Sequence, residues 1–259
     1  MKRPKFSIIT VCYNAEKFIG NTIQSVLSQS FNDFEYIIKD GSSADNTVNV
    51  VHALCDGAEN VILIQNKDQG IYDAMNIALD MAKGQYIFFL NAGDKFVDSN
   101  VLDKIKNFID HHEADIFYGN VIEVEYQKKF LRRYSKKNSK IWYYSLGACL
   151  CHQGMFCDRK LFEERKFDTI YRVCADREWQ LYHLNEGKIA IAMGITVAEV
   201  LVEGFSSEHV VELEEETEKC IKLYCGRYYN VYRAIKWIKR NKLIHLVLRK
   251  IEKKISGKY

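Results

Sequence analysis

A chain of 259 residues with 47% hydrophobic content can close one large α/β core with an appendage, which excludes a disordered chain and a small disulfide-held scaffold. The net charge is only +3, and no nucleic-acid partner is expected. It is unevenly spread: residues 233–259 carry ten Lys/Arg against the single acid Glu252, a local +9 that leaves residues 1–232 with −6.

The predicted elements begin with a β-branched and apolar run over 6–14, a strand that stops at Tyr13 and the turn-former Asn14. Asn14 is then the expected N-cap of a helix in which Phe18, Ile19, Ile23, Val26 and Leu27 recur at helical spacing. A second strand over 34–39 delivers Asp40, and Gly41-Ser42-Ser43-Ala44-Asp45 has loop chemistry. Val48, Val51, His52 and Leu54 mark a second helix, 61–64 a short third strand, and 71–83 a third helix closed by Gly84. A fourth strand over 85–90 is apolar on both faces and runs into Asn91-Ala92-Gly93-Asp94. This alternation is that of an α/β protein: a doubly wound, mostly parallel sheet with helices on both faces. Ligands of such sheets bind outside the carboxyl ends of the strands, so Tyr13, Asp40 and Asp94 are expected in one crevice.

Beyond it, the spacing predicts a helix over 99–112, a strand over 115–119, and an antiparallel ribbon from 121–126 and 129–134. Residues 128–140 hold seven Lys/Arg and no acid, which suits either a charged, aggregation-resistant edge or a surface facing phosphates. Sparse polar groups in an apolar context follow, His152-Gln153 and Asp176-Arg177-Glu178-Trp179, and then a strand over 189–202 that ends at Glu203-Gly204. An acid-rich stretch including Glu208, Glu212 and Glu216 opens a helical tail, so we divide the chain into an α/β domain over 1–207 and a basic helical extension over 208–259. In the tail, Trp237, Ile238, Leu243, Ile244, Val247, Leu248 and Ile251 alternate with Lys and Arg. That pattern fits an amphipathic helix on an anionic membrane surface, or a packing helix with a solvated basic face. The eight scattered cysteines form no CxxC pair and are expected as free thiols, no signal-peptide pattern follows Met1, and no apolar run reaches the roughly 18–20 residues of a span. A cytoplasmic protein, peripheral on the inner face of the membrane, is the expectation.

Each strand-end acid has a chemical use. A carboxylate such as Asp40 can accept the imide N–H of a uracil-like base. Asp94 can help a hard divalent cation neutralise a diphosphate, because Mg²⁺ takes one or two protein carboxylates plus phosphate oxygens. Taken singly, either residue is a turn or cap.

The order of motifs goes further. Residues 7–16 (Ser-Ile-Ile-Thr-Val-Cys-Tyr-Asn-Ala-Glu), 24–30, 34–47 with Asp40-Gly41-Ser42, 68–76 (Asp-Gln-Gly-Ile-Tyr-Asp-Ala-Met-Asn) and 84–94 together resemble the opening of family 2 inverting glycosyltransferases of GT-A fold. By that resemblance Thr10, Val11, Tyr13, Glu16 and Asp40 line the base and ribose, with Gly70 and Asn91 also on the nucleotide. Asp94 stands in the metal-binding motif for Mg²⁺ or Mn²⁺, where Asn91 and Gly93 replace acids. Met75 occupies the place of a usual Arg, and Asp68 and Asp73 are extra acids near the donor sugar. Asp176 matches the acid that serves as general base, since inversion needs a group to take the proton of the attacking hydroxyl. Its competing role is an N-cap. His152 and Gln153 lie where relatives carry polar residues near donor or acceptor.

The resemblance implies a transfer from a nucleotide sugar, a UDP-hexose or UDP-N-acetylhexosamine, to a surface-polysaccharide or lipid-linked oligosaccharide acceptor. A catalytically silent nucleotide- or glycan-binding protein is the alternative, motivated by the thinned metal motif. A dinucleotide-dependent dehydrogenase would need GxGxxG after the first strand, and residues 10–14 lack it.

Overall fold

The first four β-rich runs become strands β1 (Phe6–Cys12), β2 (Phe34–Asp40), β3 (Val61–Gln65) and β4 (Tyr86–Phe89), paired in parallel in the order β3-β2-β1-β4. The structure is a computed structural model that describes residues 3–135, 139–144, 146, 148–202 and 205–240. Between the strands lie α1 (Ile19–Leu27), α2 (Thr47–Cys55) and α3 (Ile71–Met81). The chain steps outward from β1 to β3 and then returns to β4 on the far side of β1. Right-handed crossovers therefore put α1 and α2 on one face and α3 on the other.

Two local expectations change. Asn14 does not cap α1, whose N-cap is Phe18; it turns left-handed at φ 49° and its carboxamide oxygen accepts the Ala44 N–H at 2.9 Å, so it ties the loop after β1 to the loop after β2. Gly84 does not cap α3 either, since Ala82 holds that place. A Cβ on Gly84 would stand 2.3 Å from the Ser7 nitrogen, so the glycine permits a close backbone approach at the start of β4.

The second half is a mixed extension of the same sheet. It adds β5 (Lys95–Phe96), α4 (Val101–Ile109), β6 (Ile116–Glu125), β7 (Lys128–Arg132), α5 (Ile141–Tyr144), β8 (Met155–Asp158), α6 (Arg159–Glu164), α7 (Ala175–Asn185) and β9 (Ala190–Leu201). The predicted strands over 115–119 and 121–126 are one strand, β6, with a register shift between Tyr118 and Val121, and β7 is its ribbon partner. Sequence reading misses β8, which enters antiparallel between β4 and β6 and so joins the halves. Its aromatic Phe156 stacks on Phe88 of β4 at 4.3 Å between centroids, and Phe88 stacks in turn on Phe96 at 5.2 Å. Burial of such rings contributes roughly 1.5–3 kcal/mol each.

The tail begins with α8 (Phe205–Glu208), α9 (Val210–Tyr224) and α10 (Tyr229–Arg240). Helix α9 is packed on α7, with Cys220 and Ile221 fully buried, so at least this part of residues 208–259 shares the core of the domain before it. Trp237 is 60% exposed on α10. Leu243, Ile244, Val247, Leu248 and Ile251 lie outside the described residues, as do Glu203 and Gly204. All eight cysteines are free thiols. Among the described residues no helix is long and apolar enough to cross a membrane.

Candidate active site

The carboxyl ends of β1 and β2 carry two loops laced together side chain to backbone. Asn14 N–H donates to Ser43 Oγ at 2.8 Å, Ala15 N–H to Thr47 Oγ1 at 2.7 Å, and Glu16 accepts the Asn46 N–H at 3.0 Å. Asp40 is fully buried at the strand end, where its Oδ2 accepts the Ser43 N–H at 2.8 Å and its Oδ1 the Ser43 hydroxyl. Thr10 and Val11 lie beneath the crevice: Thr10 is buried, and its hydroxyl donates to Leu90 O at 2.6 Å beside the Tyr36 hydroxyl. Tyr13 is the exposed one, 65% open to solvent. Gly41 lets it lean in, because a Cβ there would meet the Tyr13 ring at 3.2 Å and Asp68 Oδ2 at 3.0 Å.

A third loop, over 66–70, closes this side. Lys39 has no exposed surface although it is a cation, and its Nζ donates to Asp40 O, Asn66 O and Asp68 Oδ2 at 2.9, 2.8 and 2.6 Å. A buried ammonium costs heavily unless paired and fully hydrogen-bonded, so these three acceptors hold the loop to β2. Asp68 also accepts the Gly70 N–H at 3.2 Å, and Asp73 the Gln69 N–H at 2.8 Å. Gly70, at φ 127°, sits at the start of α3 in a conformation open to glycine. Both extra acids thus shape this loop, Asp68 from within it and Asp73 from the first turn of α3.

The end of β4 meets residues from far along the chain. His152 and Gln153 form a 3-10 turn between the loop before it and β8. His152 Nδ1 lies 3.0 Å from Asp176 Oδ2, its Nε2 lies 3.1 Å from Asn91 Nδ2, and Gln153 donates to Asp94 Oδ2 at 3.0 Å. Asp176, in the first turn of α7, receives the Tyr72 hydroxyl of α3 on its other oxygen at 2.9 Å. The structure therefore brings Asn91, Asp94, His152, Gln153 and Asp176 together, and sets Tyr13, Gly70 and Asp68 on the neighbouring strand-end loops, Asp40 at the end of β2 and Asp73 in the first turn of α3. In the tautomer that donates Nδ1–H to the carboxylate, the Nε2 lone pair faces the Asn91 amide.

These contacts set the charges. Burial pushes the Asp176 carboxyl upward, but His152, the Tyr72 hydroxyl and the charge of Arg177 outweigh it and hold it below the usual carboxylate range. It is ionised at neutral pH and able to accept a proton. Burial wins at Asp94, which is pushed up to about 6 despite hydrogen bonds from Gln153 and the Leu201 N–H. Asp176 is not held as an N-cap: that place is Cys174, whose side chain makes no cap bond. Glu178 faces away, fully buried against Arg165 and the Tyr224 hydroxyl.

A divalent ion has a thin but suitable donor set here. No group of three or more His, Cys, Asp or Glu side chains that could hold a metal occurs among the described residues. Asp94 is the one carboxylate of the loop after β4, and the buried Asn91 Oδ1 has no hydrogen-bond partner. One carboxylate and one spare amide oxygen fit an ion that takes most of its ligands from a diphosphate.

Sequence reading overlooked three supports of this site: Tyr72, Lys39, and Thr22, whose hydroxyl donates to Asp94 O at 2.7 Å and accepts the Gly93 N–H at 3.0 Å. A lone Lys inside an apolar strand was the available signal for Lys39. Tyr72 and Thr22 sit at ordinary core positions of helical patterns, and nothing local separates them from their neighbours.

Residues 7–165 match the family described as Glycosyl transferase family 2. The chain is 30% identical over 223 residues to the PGL/p-HBAD biosynthesis glycosyltransferase of Mycobacterium bovis, covering 83% of each protein. It is 36% identical over 115 residues to the Escherichia coli UDP-Glc:alpha-D-GlcNAc-diphosphoundecaprenol beta-1,3-glucosyltransferase WfaP, which is 44% of this chain and 45% of that one. Among solved structures it is similar to S. aureus TarS 1–349 in complex with UDP, with a TM-score of 0.66, 20% identity, and coverage of 87% of this chain and 72% of that one. It is also similar to the mannosyltransferase PcManGT from Pyrobaculum calidifontis in complex with GDP-Man and Mn²⁺, with a TM-score of 0.63, 16% identity, and coverage of 96% and 80%. The α/β fold is GT-A.

Proposed function

The chain belongs to glycosyl transferase family 2, and from that premise we propose that it transfers a hexosyl or N-acetylhexosaminyl group from a UDP-sugar, with inversion, to a lipid-linked or surface-polysaccharide acceptor. The observation that carries the reading is the bridge from Asn91 through His152 to Asp176, which puts an ionised carboxylate beside the strand end where the donor's diphosphate is expected. Support for the donor and acceptor comes from TarS, solved with UDP, and from WfaP, named as acting on a diphosphoundecaprenol-linked sugar.

In this reading the Tyr13 ring flanks the base, Asp40 accepts its imide N–H, and Glu16, Val11 and Thr10 shape the wall beneath. Gly70, Asp68 and Asp73 border the sugar. Asp94, with Asn91, would hold Mg²⁺ or Mn²⁺, which neutralises charge on the departing diphosphate. Asp176 takes the proton of the attacking acceptor hydroxyl, His152 holds that carboxylate in place, and Gln153 does the same for Asp94. A protein acting on a lipid-borne acceptor works beside a membrane, and the basic stretch over 241–259 suits an anionic inner face.

The test is a panel of nucleotide sugars assayed for transfer and hydrolysis, with and without Mn²⁺. Turnover of a UDP-sugar that disappears in Asp176→Asn supports the proposal. Binding of UDP-sugars with no turnover by the wild type under any acceptor would instead favour the silent binding protein.

A further inference from the structure

Asp176 lies beyond the matched residues 7–165, and besides His152 and Tyr72 a further support reaches it from still later in the chain. The three residues before α7 have their backbone N–H groups aimed at one side chain. Glu216 of α9 accepts from Arg172 at 2.8 Å on Oε1, and from Val173 at 2.9 Å and Cys174 at 3.0 Å on Oε2. It is only 9% exposed, so these bonds are made out of water, where a carboxylate with satisfied donors is a stiff anchor.

The same face of α9 continues the attachment. Residues 216, 220 and 224 follow at intervals of four, one stripe of a helix, and each touches the α7 region in turn: Cys220 Sγ lies 3.8 Å from Cys174 Sγ, and the Tyr224 hydroxyl donates to Glu178. The anchored segment also carries Val173 O, an acceptor of the Tyr72 hydroxyl at 3.1 Å, and that hydroxyl reaches Asp176 at 2.9 Å. Holding the Val173 and Cys174 backbone therefore fixes both the helix start that bears Asp176 and the tyrosine that orients it.

We infer that Glu216 is a positioning residue for Asp176, so that the catalytic unit extends through α9. The inference rests on the glycosyltransferase reading with Asp176 as base. A misplaced base of the order of 1 Å costs about 10²-fold in rate without touching a donor bound elsewhere. Gln at this position keeps one acceptor oxygen but turns an NH₂ toward a backbone N–H, so it satisfies the segment only in part.

The experiment compares full-length wild type, Glu216→Ala, Glu216→Gln, Asp176→Asn and the Asp176→Asn/Glu216→Ala double variant, using UDP-glucose and UDP-N-acetylglucosamine turnover and UDP affinity by calorimetry. Glu216→Ala is expected to lose about tenfold to a hundredfold in kcat with UDP affinity within about twofold, and Glu216→Gln to fall between it and wild type. Because the residue acts through Asp176, the double variant should lose less than about twofold beyond Asp176→Asn alone. If Glu216→Ala is too unstable to purify, Glu216→Gln takes its place in the cycle. Losses that multiply in the double variant, or UDP affinity that falls together with kcat, would mean a general structural role and overturn the inference. An inactive Asp176→Asn beside a fully active Glu216→Ala overturns this inference alone, whereas wild-type turnover by Asp176→Asn removes the base assignment and the inference with it.

Discussion

His152 and Asp176 stand 24 residues apart in sequence and meet at 3.0 Å, Nδ1 to Oδ2, while Tyr72 closes on the other carboxylate oxygen from more than a hundred residues away. Three elements thus converge on one ionised side chain. A carboxylate held by two donors and kept below its usual range is oriented and ionised at neutral pH, at the cost of some proton affinity.

Asp176→Asn keeps the shape but removes basicity, so turnover should fall by about 10²–10⁴-fold with donor affinity within about twofold. Steady-state kinetics beside calorimetry with UDP check this. Wild-type turnover with saturating acceptor would reject the base.

Asp40 both orders the loop after β2 through Ser43 and, in the proposed function, meets the base. Asp40→Ala should weaken UDP binding by about 1–3 kcal/mol, the cost of an unpaired buried donor. Ser43→Ala removes the loop hydroxyl and spares the carboxylate. Equal losses in the two variants would assign the effect to loop order rather than to base recognition.

The pH response of Asp94 has a definite sign. Its folded carboxyl is pushed up to about 6 by burial, above its unfolded value, so between about pH 4 and 6 the native state binds more protons than the unfolded chain. In chelator-treated protein this group therefore destabilises the fold above pH 6, and the penalty fades as pH falls toward 4. A carboxyl moved from about 4 to about 6 carries a penalty of about 3 kcal/mol at most. Asp94→Asn, which carries no charge, should raise Tm at pH 8 more than at pH 5. Mn²⁺ with UDP should raise the Tm of wild type at pH 8, and Asp94→Ala should abolish that gain. Identical pH and metal responses in all variants would place the ion elsewhere.

Removal of residues 241–259 takes away six Lys/Arg and Glu252 but leaves α9 and α10. Turnover of a soluble donor by hydrolysis should persist, and co-sedimentation with phosphatidylserine-containing vesicles should be lost. A full-length protein that ignores such vesicles at low salt would exclude the membrane role.

What the sequence by itself determined is local and repetitive. The parallel half of the sheet could be read from residues 6–90, because strand and helix periodicities are short-range consequences of burying one face of each element, and turn-forming Asn, Asp and Gly mark where strands stop. The rule that ligands gather at strand ends points to Tyr13, Asp40 and Asp94 from the sequence alone. Only the tertiary structure decided which distant groups meet there. The entry of β8 between β4 and β6 carries His152 and Gln153 to the loop after β4, and no local pattern announces an antiparallel strand of four residues, since its place depends on closing long loops against competing partners. Lys39 is a cation in an apolar strand whose partner is unknown until Asp68 is brought to it, and Glu216 is one more acid of a polar helix until three backbone N–H groups face it. Burial makes such groups need partners, and partners for buried polar atoms are chosen by the packed fold rather than by neighbours in sequence.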